Sequence, residues 1–150
     1  MATTVTSPLP GRAVGLANVP DPVFAGAMVG PGTAVDPDRG IIEAVSPVDG
    51  QVVSMHPHAF VVVDEEGHGI LTHLGIDTVK LNGEGFELLV NKGDRVKRGQ
   101  PVIRWNPATV EGAGYSPISP VVALEAAPDQ LSGVAESGQV AAGDPLFDWS

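Results

Sequence analysis

Short runs of apolar, β-branched residues alternate with turn residues along the whole chain. Val5–Leu16 reads as a turn flanked by short strands, and residues 41–45 and 51–55 read as strands joined through the Pro47–Gly50 turn. Ala59–Val63 is a continuous apolar run, Asp64-Glu-Glu-Gly67 is a turn, and His68–Leu74 is the return strand of a hairpin. Lys92–Ile103 is a further strand–turn–strand, residues 106–114 hold a short helical turn, and Tyr115–Leu124 and Gly133–Phe147 supply the last strands. Asp21-Pro22 can open another helical turn, because proline at a first helical position loses no hydrogen bond. The glycines after Met28 end it quickly.

Two echoes run through this pattern. Ser7-Pro8, Gly11 and Val14 return as Ser46-Pro47, Gly50 and Val53, offset by 39 positions. Val96, Gly99, Pro101 and Trp105 return as Val140, Gly143, Pro145 and Trp149, offset by 44. A duplicated β unit follows, each copy covering the other's apolar face.

Composition sharpens the class. Nineteen glycines and fourteen prolines in 150 residues favour many short strands over long helices, so the expectation is an all-β single domain over 1–150, with residues 1–4 a flexible lead-in. Aromatics are only 5% of the chain, which leaves Val, Leu, Ile and Ala to fill the core. There is no cysteine, hence neither disulfide nor thiolate chemistry. No apolar run is long enough to span a membrane, and the N-terminus lacks a secretory pattern, so a cytoplasmic protein is expected. The formal charge of −10, from 18 acids against 8 bases, disfavours nucleic acid and suits a partner with a basic contact face.

Candidate chemistry rests on histidines. The hairpin brings the His56-Pro57-His58 segment beside His73, and a neutral imidazole can bind metal, act as a base or attack phosphorus. His56-x-His58 offers two metal ligands on one strand face, with His73, Asp49 or Asp64 as further candidates, but no strong zinc spacing is present. His68, in an acidic turn, reads as a hydrogen-bonded structural residue. The Gly-x-x-Val-x-x-Gly-x-x-Val turn of 93–102 also occurs in biotinyl and lipoyl carriers, yet neither Lys80 nor Lys92 has the setting of a modified lysine.

The runs Val19-Pro-Asp-Pro-Val-Phe24, Ala44-Val-Ser-Pro-Val-Asp-Gly50, His58-Ala-Phe60, His73-Leu-Gly-Ile-Asp-Thr-Val-Lys-Leu-Asn-Gly-Glu-Gly-Phe86 and Gly93-Asp-Arg-Val-Lys-Arg-Gly99 carry a resemblance. Over residues 5–148 the chain resembles the glucose-type enzyme IIA component of the bacterial sugar phosphotransferase system. The resemblance implies an antiparallel β-sandwich and a phosphotransferase component. It implies that His73 accepts a phosphoryl group on Nε2 from the histidine phosphocarrier HPr and passes it to the IIB domain of a sugar permease. His58 would hydrogen-bond the phosphoryl oxygens, with His56, Gly75 and Asp77 in support. Phe24, with Val23, Val29, Phe60 and Leu71, would line an apolar docking ring, and Asp21 and Asp77 would meet basic side chains of the partner. No cofactor is required, although zinc at His58 and His73 is compatible with the resemblance, as are regulatory protein targets. The chain departs from the family at His56, where threonine is frequent, and at Ser54 and Leu71, where phenylalanine is. The alternatives are a small zinc-dependent hydrolase and a non-catalytic binding module using the His56/His58/His73 cluster.

Overall fold

Fourteen short strands, all paired antiparallel, are the dominant regular structure of the computed structural model, which describes residues 3–150. In chain order they are β1 (Thr3–Thr6), β2 (Gly11–Ala13), β3 (Gly32–Pro37), β4 (Ile42–Val45), β5 (Gly50–His56), β6 (Ala59–Val63), β7 (Gly69–His73), β8 (Phe86–Leu88), β9 (Arg95–Val96), β10 (Pro101–Trp105), β11 (Ser119–Ala123), β12 (Leu131–Ser132), β13 (Gln139–Val140) and β14 (Pro145–Trp149). The helices are brief: α1 (Pro22–Ala25) and α2 (Pro107–Gly112), with a few 3-10 turns. Asp21 starts α1 by accepting the Val23 N–H at 2.9 Å, and Asn106 does the same for α2 through Ala108. Among the described residues no helix is long and apolar enough to cross a membrane.

One eight-stranded sheet has the order β13-β2-β3-β11-β7-β6-β5-β9, and two three-stranded sheets, β1-β14-β12 and β4-β10-β8, complete the fold. The two echoes in the sequence are a two-fold relation in space. Thr6 N–H donates to the Pro47 carbonyl at 3.1 Å, and Val45 N–H donates to the Pro8 carbonyl at 2.9 Å. Gly143 N–H donates to Ser7 O, as Gly99 N–H does to Ser46 O, each at 2.9 Å. Val5 pairs with Phe147 as Ala44 pairs with Ile103, and Gly11 pairs with Val140 as Gly50 pairs with Val96. Each copy's Ser-Pro turn is thus held by the other copy.

Between them lies one core, with Trp105, Phe60, Phe147, Leu9, Ile70 and Leu74 wholly buried. One expectation changes here. Thr3 and Thr4 are not a free lead-in: they pair with Trp149 and Asp148, and Thr4 Oγ1 donates to Asp148 at 2.7 Å. The strands on either side of the Pro47–Gly50 turn do not pair with each other. β4 joins one sheet and β5 another, because the turn's own polar groups are taken by the symmetry-related copy.

Candidate functional site

The β5–β6–β7 meander builds the site. Across it, His56 pairs with Ala59 and Ala59 with His73, so these three side chains stand in one row on one face. The next row on that face is Ser54, Val61, Leu71 and Val122. A bulge sets this arrangement. The register slips between Val52 and Ser54, leaving Val53 extra, and the parity of the strand inverts there. Val52 faces the core, whereas Ser54 and His56 face outward; strict alternation would have placed all three on one side. His58 follows in the two-residue Pro57-His58 turn, and its carbonyl accepts the Leu74 N–H at 2.7 Å.

His73 is oriented by its own chain. Its Nδ1 lies 2.5 Å from the Gly75 carbonyl oxygen, and since a carbonyl can only accept, Nδ1 carries the proton and Nε2 keeps the lone pair in the neutral ring. The Gly75 carbonyl is itself fixed. Gly75 N–H reaches Ser119 Oγ at 3.3 Å, Ile76 N–H reaches Ser116 O at 2.9 Å, and Thr78 Oγ1 donates to Leu74 O at 2.8 Å. Gly75 adopts φ of 81°, and a Cβ there would sit 2.7 Å from Thr78 Cγ2. Backbone conformation and space both demand glycine.

The rings form a chain. His58 lies 5.2 Å from His73, nearly edge-on at 72°, and His56 lies 5.9 Å from His58. Burial holds His73 below the usual imidazole range, opposed by the Gly75 carbonyl and the charges of Asp21 and Asp77. Burial, then the neighbouring His73 and His56, push His58 down to about 4. Both rings are therefore neutral at neutral pH, the state a nucleophile requires.

Phe24 on α1 lies 5.2 Å from the His73 ring. With Val29 and Leu71 it is half-buried against a second apolar cluster of Leu16, Val19, Ala34, Ile76 and Val122, while Val23 is 43% exposed. Phe60 does not belong to this face. It pairs with Thr72 rather than with His73 or Leu71, points into the main core and is fully buried. Its place among the outward residues is taken by Val61, a position legible from the parity it shares with Ala59 once the β6–β7 pairing is known. His68 stands at the other end of β7, stacked on Trp149 at 4.0 Å with Nδ1 3.0 Å from Thr3 Oγ1. Among the described residues no three His, Cys, Asp or Glu side chains gather as a metal set.

Comparison with known proteins gives the context for this geometry. Residues 3–128 match the model of the family described as phosphoenolpyruvate-dependent sugar phosphotransferase system, EIIA 1. The chain belongs to this family. Similar EIIA relatives include the glucose-specific EIIA component of Bacillus cereus, 42% identical over 121 residues, covering 79% of this chain and 72% of that one. The glucose-specific EIIA component of Staphylococcus aureus is 42% identical over 120 residues, 79% of this chain and 71% of that one. The solved structure of glucose permease IIA from Mycoplasma capricolum superposes with a TM-score of 0.91 at 31% identity, covering 99% of this chain and 96% of that one. As an EIIA family member, the chain is a phosphotransfer component of the sugar phosphotransferase system.

Proposed function

We propose that His73 is the residue that carries the phosphoryl group, taking it from HPr and giving it to the IIB domain of a sugar permease. The observation that carries this reading is the Nδ1–Gly75 hydrogen bond, which leaves Nε2 as the free nucleophile beside a second imidazole. In the forward step the Nε2 lone pair attacks phosphorus. The new N–P bond forms as the P–N bond of the donor's phosphohistidine breaks, and the donor imidazole leaves with the electron pair. His58 donates to the phosphoryl oxygens, since the added group brings roughly −1.5 to −2 charge. The half-buried Phe24, Val29 and Leu71, with exposed Val23, form the contact face that excludes water. Asp21 and Asp77 present negative charge to a basic donor surface.

The test is incubation with phosphoenolpyruvate, enzyme I and HPr, read by intact mass. One phosphate, labile in acid, stable in base and absent from His73→Ala, is expected. No mass gain, while a control acceptor is phosphorylated by the same mixture, would remove the proposal. The binding-module alternative predicts that second result.

A further inference from the structure

His73 is not the only imidazole bordering the space in which its Nε2 stands. In the outward row His56–Ala59–His73, the middle position is an alanine, 6% exposed although it belongs to the outward row. Two histidines one strand apart on either side therefore face each other across a methyl group, about 10 Å apart at their backbones. His58 rises from the adjoining turn between them, with ring distances of 5.9 Å to His56 and 5.2 Å to His73. A larger residue at position 59 would fill this gap. The Val53 bulge is what turns His56 to this side. His56 itself is exposed and contributes nothing to the core.

We propose that His56 is a third phosphoryl-binding side chain, admitted by the small Ala59, so that the group on His73 is held by two imidazole donors rather than one. This rests on the carrier reading above and adds to it a residue and a spatial requirement. Neutral or protonated, an imidazole presents at least one N–H to an oxyanion. His56 would thus favour the phosphorylated state without touching the unphosphorylated nucleophile.

The experiment measures the equilibrium ratio of phosphorylated chain to phosphorylated HPr, together with the phosphorus NMR shift of the phosphohistidine. In His56→Ala the ratio is expected to fall roughly ten- to a hundredfold, the range for one lost charge-assisted hydrogen bond, and the resonance to move. His56→Gln, which keeps an N–H donor, is expected to recover most of the loss. Ala59→Val is expected to reproduce the loss with His56 in place. A purely structural role would leave the phosphorus resonance unmoved. If the parent is phosphorylated on His73 and His56→Ala matches it in ratio and shift, this inference fails alone. A parent that takes no phosphate overturns the carrier reading and this inference together.

Discussion

The Nδ1 of His73 points back at the carbonyl oxygen of Gly75, two residues further along, at 2.5 Å. A single tight loop thereby fixes which nitrogen is nucleophilic. Gly75→Ala would force a Cβ against Thr78 and the Ser116 carbonyl, moving that oxygen. Phosphoryl acceptance is expected to slow about 10²-fold, with the fold retained by circular dichroism. An unchanged rate would show that the Gly75 carbonyl does not set the nucleophile.

His58 supplies a titration. Its proton is lost near pH 4, because burial and then His73 and His56 disfavour the cation. The unfolded chain takes up this proton near 6.5, so the stability linked to His58 is lost as pH falls from about 6.5 to about 4. Phosphorylating His73 replaces a neighbouring imidazole by an anion and is expected to raise the His58 midpoint. Imidazole NMR titration of both forms reads this directly. A midpoint that stays put on phosphorylation would mean His58 does not face the phosphoryl group.

Phe60 and Val61 are neighbours with opposite orientations, and their variants should separate. Phe60→Ala empties a fully buried site and is expected to cost about 3–5 kcal/mol of stability. Val61→Asp changes the outward row and is expected to keep the fold while raising the KM for phosphorylated HPr roughly tenfold. Denaturant melts and acceptance kinetics on both proteins check the pair. Loss of stability in Val61→Asp with unchanged KM would move the contact face elsewhere.

The internal two-fold makes a stability prediction. A Cβ on Gly11 or on Gly50 would lie 2.2 Å from a backbone oxygen, of Asp36 and Val63 respectively. Gly11→Ala and Gly50→Ala are expected to destabilise similarly, by about 1–3 kcal/mol each, in thermal melts. Markedly unequal losses would show that the two copies do not share the constraint.

Much of this molecule is readable from residue order. The Asp64–Gly67 turn between β-branched runs marks the hairpin that sets His58 beside His73, and the repeated Ser-Pro and Val-Gly-Pro spacings mark the two copies. The inward turn of Phe60 was not readable, because a continuous apolar run gives no parity of its own; only the pairing with β7 does. The Val53 bulge likewise carries no mark, since valine suits a strand and a bulge equally well. Yet that one extra residue decides whether His56 lies in the core or beside the nucleophile. The division of β4 and β5 between sheets depends on hydrogen bonds to a segment 39 positions away, beyond any local signal.

Thr3 and Trp149 stand opposite each other in β1 and β14, and His68 stacks on Trp149 at the end of β7 away from His73. Anything joined to either terminus by a flexible linker would therefore leave from that pole, and the histidines would ride at the free tip of the tethered unit. A fused donor or acceptor could meet them at an effective concentration of millimolar order, with no part of the linker crossing the contact face.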